Sequence, residues 1–310
     1  PNHTSEATMD LTLAKTIEGF SAYVKEFKPD LIVVHGDRVE ALAGAIVGSL
    51  NNVLVGHIEG GELSGTVDEL IRHSVSKLSH IHFVSNKTAA RRLVQMGELE
   101  SSIFTIGSAD LDVLFSSELP TLETVKSYYD ISFEDYAVVL YHPVTTDFSN
   151  TKLNAKQFVN SLLQDDSKYI VIFPNNDLGS TEILEEYDKL KDNPRFRIFP
   201  SLRFEYFITL LKNAKFLIGN SSAGIHEAPY LGLPTINIGR RQENRDLHTD
   251  TIIHVPNSLN AILNGIETAK NLQINPKKRK STQKAATLFL QTLHSEEIWK
   301  IDQQKQFRDI

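Results

Sequence analysis

The amino-acid sequence predicts an α/β fold in which helices cover buried parallel sheets. Short apolar runs recur along the chain, and most are β-branched-rich and continuous rather than alternating, which is typical of strands buried on both faces. These runs lie at 31–34, 53–55, 82–84, 103–106, 137–141, 169–173, 196–199, 216–219 and 234–238. Segments with apolar residues at helical spacing lie between them, notably 5–27, 38–50, 66–79, 152–164, 179–191 and 257–272. The repeated strand-to-helix order indicates parallel strands joined by right-handed crossovers.

The length of 310 residues predicts two domains, because one domain typically takes about 100–200 residues. The alternation of strands and helices falters between 108 and 135, where the stretch 116–121 is rich in turn-forming residues. We therefore expect two Rossmann-like domains, 1–118 and 119–310. The end of the chain, including 298–302, predicts a last helix, which is expected to pack back on the first domain.

Composition narrows the classes of partner. A net charge of −7 gives no overall attraction to nucleic acid or to an anionic membrane surface. No apolar stretch approaches the length of about 20 residues that a membrane-spanning helix requires. The absence of cysteine excludes disulfides, iron–sulfur clusters and thiol catalysis, and it fits a reducing compartment, so we expect a cytoplasmic protein.

Three carboxylates in the first half are candidates for acid–base chemistry. Asp37 and Glu59 each follow a predicted strand, and Asp68 lies in the first turn of the next helix. Because ligands bind beyond the carboxyl ends of parallel strands, the three side chains are expected to meet in one crevice. Taken singly, Asp68 is explained by the preference for acidic residues at a helix N-terminus, and Asp37 is explained as an ordinary turn residue. Glu59 is less readily explained in this way, because a tight turn does not require a carboxylate.

Histidines lie beside these carboxylates. His35 and His57 end predicted strands, and we expect them to be packed, hydrogen-bonded core residues rather than ligands. A metal site built from both histidines with Asp37 and Glu59 is conceivable. No recognised ligand spacing supports such a site, so no metal is expected.

The second half carries the pattern of an anion-binding turn. The strand 216–219 runs into a stretch of small residues at 220–224 and then into a helix, so that backbone N–H groups can face an anion. A serine N-cap would explain one of these residues but not the whole stretch. Polar residues also follow neighbouring strands, namely His142, Asn175, Asp177 and Arg241. No GxGxxG motif is present, so a dinucleotide site is not favoured.

The sequence resembles a known family, the hydrolysing UDP-N-acetylglucosamine 2-epimerases, at several motifs in order. These motifs lie at 36–38, 57–62, 64–66, 68, 71–73, 142–147, 173–175, 219–222 and 241–242, so the resemblance covers essentially residues 5–290. Related non-hydrolysing epimerases typically read Glu-Ala-Gly-Leu-Arg where this chain has Glu59-Gly60-Gly61-Glu62-Leu63. The family implies a fold of the glycosyltransferase-B type, with its active site in the central cleft between domains and no metal or redox cofactor.

The resemblance also implies an activity. UDP is eliminated across C1–C2 of UDP-N-acetylglucosamine to give 2-acetamidoglucal, and hydration then yields N-acetylmannosamine for sialic acid synthesis. By similarity, Asp37, Glu59 and Asp68 form the acid–base set, without assignment of the one that takes the C2 proton. The substrate and its UDP group would be held by Arg38, Arg72, His142, Asn175, Asp177, Ser221, Ser222, Gly224, Glu227 and Arg241, with Glu227 on the ribose.

Several alternatives stay open at this level. About two strand–helix units of the family, roughly 60 residues, have no counterpart before Pro1, so the first domain is expected to be incomplete. The substrate is alternatively a UDP-2,4-diacetamido-trideoxyhexose of the legionaminic acid route. The chain is alternatively a catalytically silent UDP-sugar-binding module, or a retaining glycosyltransferase. Family members often self-associate, so a dimer or tetramer is expected.

Overall fold

Parallel strands form the core of the first part of the chain in the computed structural model, which describes residues 8–243, 245, 250–276 and 283–306. In this described portion, a sheet of four parallel strands has the order β1-β2-β3-β4. The strands are β1 (Leu31–His35), β2 (Leu54–Ile58), β3 (Ile81–Val84) and β4 (Ile103–Thr105). The accompanying helices are α1 (Met9–Phe27), α2 (Val39–Leu50), α3 (Val67–Leu78), α4 (Lys87–Gln95) and α5 (Ala109–Leu114).

The second sheet is larger and contains six parallel strands within the described residues, in the order β10-β9-β8-β5-β6-β7. They are β5 (Ala137–Leu140), β6 (Tyr169–Ile172), β7 (Phe196–Phe199), β8 (Leu217–Gly219), β9 (Thr235–Ile238) and β10 (Ile252–Val255). The helices of this part of the chain are α6 (Leu122–Tyr129), α7 (Thr151–Gln164), α8 (Ser180–Tyr187), α9 (Phe204–Lys212), α10 (Ala223–His226), α11 (Ala228–Leu231) and α12 (Leu259–Asn271). The last helix, α13 (Ala285–Leu293), packs with residues of the first sheet.

The strand order of the second sheet has a switch point between β5 and β8. From β5 the chain moves outward through β6 and β7, and from β8 it moves outward in the other direction through β9 and β10. Gly219, the last residue of β8, has φ +144°, and a Cβ there would lie 1.8 Å from the carbonyl oxygen of Leu140 on β5. Only glycine lets the two strands pair this closely, and ligands of open α/β sheets bind at such a point.

The described residues fall into two compact units. Unit 1 comprises those of Pro1–Asp112 and Ser281–Ile310, and unit 2 comprises those of Val113–Lys280. The end of the chain lies in unit 1, because Ala285 and Ile298 pack with Leu54, Ile81 and Phe83. Unit 2 has its own apolar core, in which α7 and α12 cover β5, β6, β8 and β9. The assignment of separate tasks to 1–118 and 119–310 stays a prediction.

Most predicted strands and helices are present, with four corrections. The strand β10 was not predicted, because 252–255 is a short run with only partly buried side chains. The region expected to be a turn-rich boundary contains α6, which Thr121 caps. The chain end forms α13 and then a 3₁₀ helix at Glu296–Lys300, rather than one helix through 302. The predicted helix at 5–27 is described from Met9, and its residues 5–7 lie outside the described part.

The described helices include none that combines the length and the hydropathy required to cross a membrane.

Candidate active site

Arg72 organises the polar residues at the carboxyl ends of β1 and β2. Its guanidinium is 4% exposed and pairs with Asp37 Oδ2, directly beyond β1. The same guanidinium donates to the backbone oxygen of Glu59 at 2.7 Å and lies 4.0 Å from the Glu59 carboxylate. Ser64 donates its hydroxyl to Asp37 at 3.0 Å. The structure therefore brings Asp37, Glu59 and Arg72 together, as the order of the strands requires.

Glu59 adopts a backbone conformation that favours glycine. Its φ is +68°, although Gly60 and Gly61 follow immediately. A left-handed conformation costs a residue with a Cβ roughly 1–2 kcal/mol, so a glycine would be easier to accommodate at this position. The carboxylate is 22% exposed and lies 3.3 Å from Nε2 of His35, whose side chain is half exposed. These observations mark Glu59 as a carboxylate that the local fold does not require.

The third carboxylate, Asp68, lies in the first turn of α3 and is buried. Thr66 caps this helix and donates its hydroxyl to Asp68 Oδ2 at 3.0 Å. The next residue, Glu69, accepts from the backbone N–H of Ser64 and from His73 at 2.9 Å. The first turn of α3 therefore fixes both the loop that precedes it and the carboxylate of Asp68.

The two histidines differ in the structure. His57 is fully buried, donates to the carbonyl of Gly36 at 2.9 Å and contacts Ser76 Oγ at 3.0 Å, so the prediction of a packed core residue is confirmed. Burial lowers the pKa of His57 to about 3, so the ring is neutral. The same prediction is wrong for His35, because its side chain is half exposed and pairs with the carboxylate of Glu59. The hydrogen bond with Glu59 raises the pKa of His35.

Asp110 adds a further ionisable group that the sequence analysis missed. It lies in the first turn of α5, after β4, and interacts electrostatically with His35 and Glu59. Burial and the negative charge of Glu59 raise the pKa of Asp110. The position of Asp110 after a strand was the signal that could have found it. The signal was weak because β4 is short and α5, the helix after it, begins with alanine. Among the residues that the structure describes, no group of three or more histidine or carboxylate side chains is arranged to hold a metal ion.

Asn220 connects the two strands at the switch point of unit 2. Its side chain accepts from the backbone N–H of His142 at 2.7 Å and donates to the backbone oxygen of His142 at 2.8 Å. The backbone carbonyl of Asn220 accepts from the side chains of Gln242 at 2.7 Å and Arg241 at 3.2 Å. This buried amide therefore joins the ends of β5 and β8 to the segment after β9, a role that sequence reasoning did not assign to it.

The hydrogen bond to His142 determines its tautomer. The backbone N–H of Asn175 donates to His142 Nδ1 at 3.1 Å, so the proton of the neutral ring lies on Nε2. The side chain of Asn175 in turn donates to the buried carboxylate of Asp177. The loops after β5 and β6 are thus joined, and they place one imidazole N–H donor beside the switch point.

The small-residue turn after β8 leads into a shorter helix than the sequence suggested. Ser221 and Ser222 precede α10, which is a single turn of four residues. Glu227 is buried and separates α10 from α11. A Cβ on Gly224 would lie 2.5 Å from Thr235 Cγ2, so Gly224 allows this turn to pack on β9. The serines therefore follow the switch point directly, whereas the helix behind them is short.

Arg38 and Arg241, which were predicted as site residues, and the nearby Arg245 have different surroundings. Arg241 is partly buried against the carbonyl of Asn220. Arg245, four residues on, donates to His226 at 2.9 Å. Arg38 is the half-buried N-cap residue of α2, next to Asp37. Cationic side chains thus lie near the ends of β1 and β9, as anion binding requires.

Comparisons with solved structures show the fold. A Methanocaldococcus jannaschii UDP-GlcNAc 2-epimerase in complex with UDP-GlcNAc and UDP matches with a TM-score of 0.75 and 23% identity, covering 91% of this chain and 80% of that one. A Neisseria meningitidis UDP-GlcNAc 2-epimerase bound to UDP-GlcNAc matches with a TM-score of 0.73 and 17% identity, covering 94% and 82%. The chain therefore has the two-sheet α/β fold of these enzymes, which is the predicted glycosyltransferase-B type.

Three curated relatives have a higher sequence identity to this chain than these two solved structures. A Neisseria meningitidis serogroup B UDP-N-acetylglucosamine 2-epimerase is 47% identical over 306 residues, covering 97% of this chain and 81% of the relative. A Legionella pneumophila hydrolysing UDP-N,N'-diacetylbacillosamine 2-epimerase is 35% identical, covering 86% and 70%. The Escherichia coli polysialic acid biosynthesis protein P7 is 33% identical, covering 87% and 70%.

The family model described as UDP-N-acetylglucosamine 2-epimerase matches residues 2–301. The chain belongs to this epimerase family.

Proposed function

We propose that the protein is a hydrolysing UDP-N-acetylglucosamine 2-epimerase, which converts UDP-N-acetylglucosamine and water into N-acetylmannosamine and UDP. The single observation that carries the proposal is the group of acidic side chains around buried Arg72, which includes Asp37 and Glu59 at the ends of adjacent strands. Removal of the weakly acidic C2 proton needs a positioned carboxylate, and this group offers two beside one arginine.

The first step assigned to unit 1 is elimination. One carboxylate takes the C2 proton of the sugar, the electron pair forms the C1–C2 double bond, and the C1–O bond to UDP breaks. We assign the proton removal to Glu59, because its strained backbone and its contact with His35 distinguish it from Asp37, which Arg72 and Ser64 hold. Water then adds at C1, and an acid returns a proton to C2 on the opposite face. Asp68 and Asp37 complete the acid–base set.

The task assigned to unit 2 is to hold UDP. The ring N–H of His142, the hydroxyls of Ser221 and Ser222 and the guanidinium of Arg241 supply donors for diphosphate oxygens. Glu227, Asn175 and Asp177 supply oxygen and amide groups for the ribose and its surroundings, with Glu227 on the ribose diol. Gly224 allows close packing of the turn. Within unit 1, Arg38 and Arg72 supply positive charge for binding the substrate.

Support for the hydrolysing reaction comes from the motif and from relatives. The segment Glu59–Leu63 reads Glu-Gly-Gly-Glu-Leu, which departs from the non-hydrolysing pattern. Relatives from Legionella pneumophila and Campylobacter jejuni, each 35% identical, are named as hydrolysing enzymes. The Escherichia coli relative is named for polysialic acid biosynthesis, which supports a sialic acid route as the setting and, with it, N-acetylmannosamine as the product.

The test is to incubate the chain with UDP-N-acetylglucosamine in D2O and to follow the products by NMR. The proposal expects free UDP and N-acetylmannosamine with deuterium at C2, because the returning proton comes from solvent. Glu59→Gln should lower turnover by at least ~100-fold, and Asp37→Asn and Asp68→Asn should do the same, while UDP affinity stays nearly unchanged.

Three outcomes would contradict the proposal. Formation of UDP-N-acetylmannosamine without free sugar would identify a non-hydrolysing epimerase. Binding of UDP without turnover would identify a UDP-sugar-binding module. Turnover of all three carboxylate variants close to that of the parent would reject the assigned acid–base roles.

A second substrate is favoured by one observation. The Legionella pneumophila relative is named for a diacetamido sugar, UDP-N,N'-diacetylbacillosamine. The same NMR assay with that UDP-sugar distinguishes the two, because the proposal expects faster UDP release from UDP-N-acetylglucosamine.

A further inference from the structure

Lys305, close to the end of the chain, lies at the end of unit 1 opposite the carboxylates. Its ammonium donates to the backbone oxygens of Ser79 at 2.6 Å, Lys77 at 2.9 Å and Ser76 at 3.4 Å. These carbonyls belong to the last turn and C-cap of α3, where backbone acceptors lack the i+4 N–H partners of the helix interior. The carbonyl of Ser76 also accepts from the backbone N–H of Ser79 at 3.1 Å. A cation there also complements the helix dipole. Lys305 is thus a C-terminal cap for the helix that carries Asp68 and Arg72.

The same ammonium is held by a buried carboxylate. Glu98 is 2% exposed and accepts from Lys305 at 2.6 Å, from Lys77 at 2.7 Å and from His82 at 3.0 Å. Burial opposes ionisation of Glu98, but the bonds from His82 and the two lysines outweigh it and lower its pKa to about 2. Burial also lowers the pKa of Lys305. A partly desolvated cation that meets four acceptors is a fixed contact rather than a mobile surface lysine.

A second contact of the same segment reaches β2. The backbone oxygen of Gln303 accepts from His80 Nε2 at 3.0 Å, and His80 Nδ1 accepts from the backbone N–H of Val55 at 3.0 Å. β2 leads into His57 and Glu59 at its other end. The segment Gln303–Lys305 therefore contacts both elements that position the carboxylates.

A connected path of hydrogen bonds runs from this segment to Asp37. Ser76, whose carbonyl accepts from Lys305, contacts His57 Nδ1 through its hydroxyl at 3.0 Å. His57 then donates to the carbonyl of Gly36, the residue before Asp37. Because α3 is a regular helix of 12 residues, a displacement of its C-terminal end is transmitted to Arg72 rather than absorbed.

We propose that Lys305 is a positioning residue for the proton-transfer carboxylates of unit 1. It acts through α3, while Gln303 acts through His80 and β2. This inference rests on the proposed epimerase function for its kinetic consequence. A misplacement of a catalytic group by about 1 Å costs up to about 100-fold in rate, and loss of one of two contacts predicts a smaller effect.

The test compares Lys305→Met with Lys305→Arg, which retains the cation, and with Lys300→Met. Lys300 is an exposed lysine near the same chain end that pairs only with neighbouring glutamates among the described residues. The turnover number is measured by UDP release, UDP affinity by calorimetry, and backbone order by amide hydrogen exchange in 59–73. Lys305→Met is expected to lower the turnover number by about 10-fold and to raise exchange in 59–73, with UDP affinity unchanged. Lys305→Arg should restore most of the rate, and Lys300→Met should behave as the parent.

Two results would overturn the inference. One is unchanged exchange in 59–73 in Lys305→Met, whatever its activity. The other is a parallel fall in turnover, UDP affinity and melting temperature without recovery in Lys305→Arg, which would indicate general destabilisation. If the parent releases no UDP, the proposed function fails, and hydrogen exchange alone then decides whether Lys305 orders the carboxylate segment.

Discussion

The two units build their polar sites from different materials. In unit 1 the contacts at the strand ends are between charged groups, as in the pairs of Arg72 with Asp37 and of His35 with Glu59. In unit 2 the contacts at the switch point centre on the side-chain amide of Asn220 and on backbone groups, with the guanidinium of Arg241 beside them. Electrostatic interactions change with every proton that moves, whereas amide contacts do not. The difference agrees with the tasks proposed for the two units, proton transfer for unit 1 and UDP binding for unit 2.

The cores of the two units also differ, and ionisable groups are again prominent in unit 1. Unit 2 has a large continuous apolar core between its sheet and helices α7 and α12. Unit 1 divides its apolar residues among smaller clusters, and between them lie buried ionisable groups such as His57, His82 and Glu98. Burial of such groups is stabilising only while every partner is present. Unit 1 is therefore expected to be the more sensitive unit to single charge changes and to pH.

The largest effect is expected from Arg72→Met. Removal of a buried guanidinium leaves Asp37 without its cation, which typically costs about 3–5 kcal/mol of unfolding free energy. Denaturant unfolding followed by Trp299 fluorescence measures it, because Trp299 is the single tryptophan of the chain and lies in unit 1. Arg92→Met is the control, since Arg92 donates to the Gly61 carbonyl at 3.2 Å and is partly exposed. Equal, small losses for the two variants would contradict the central role of Arg72.

A pH effect should follow from the buried histidines. The folded-state pKa of His57 is about 3, below its unfolded value of 6.5, so the unfolded chain binds more protons between these values and stability falls as pH decreases below 6.5. The pKa values of His80 and His82 shift in the same direction, again through burial. His35 opposes them, because its raised pKa contributes stability at low pH that is lost as pH rises through its folded value.

For His57 alone, the loss between pH 7 and pH 5 is about 2 kcal/mol, at 1.36 kcal/mol per pKa unit. The measurement is the Trp299 unfolding midpoint as a function of pH in the parent and in His57→Gln. Glutamine retains a donor toward the Gly36 carbonyl but does not titrate, so its pH dependence should be shallower. The same slope in both proteins would show that His57 is not the group responsible.

The sequence predicted the architecture well because buried parallel strands leave a strong signal. Continuous apolar runs such as 169–172 are buried throughout, and the helix predicted over 66–79 is present as Val67–Leu78. The sequence also indicated the strand-end residues, since strand order determines which loops are neighbours. β10 was missed because partly buried side chains weaken that signal.

What the sequence could not provide was the partner of each polar side chain. Asn220 looks like any turn residue until its amide is seen to bond both backbone groups of His142, which lies 78 positions away. His35 and His57 look equivalent at strand ends, but one faces Glu59 and the other the Gly36 carbonyl. Such differences depend on side-chain direction and long-range packing, which one sequence without structure does not specify.

Asn220→Asp tests the amide contacts at the switch point of unit 2. The substitution removes the N–H donor that bonds the His142 carbonyl and places negative charge among groups assigned to diphosphate binding. We expect UDP affinity to fall by about 10-fold, and stability to fall by about 1–3 kcal/mol for the broken buried hydrogen bond. Calorimetric titration with UDP measures the affinity, and Asn260→Asp at an exposed position of α12 is the control. Unchanged UDP affinity with reduced turnover would reverse the division of tasks between the units.

The smallest stability change is expected from Glu59→Gly. Relief of the left-handed conformation, roughly 1–2 kcal/mol, is offset by the greater unfolded-state freedom of glycine, about 0.5–1 kcal/mol, and by loss of the contact with His35. The unfolding free energy should therefore stay within about 1 kcal/mol of the parent, while turnover falls by at least ~100-fold.

The matched control is Lys28→Gly, at the left-handed C-cap of α1 in the same unit, where φ is +46°. That variant should change stability by a similar small amount and keep full turnover, because glycine is the favoured residue at such a cap. Unfolding by Trp299 fluorescence and UDP release measured on the same preparations separate the two effects. A Glu59→Gly protein that loses stability by several kcal/mol would show that Glu59 is held for the fold rather than for chemistry. The left-handed conformation of Glu59 would then serve the fold, and Asp37 or Asp68 would be the candidate for the base.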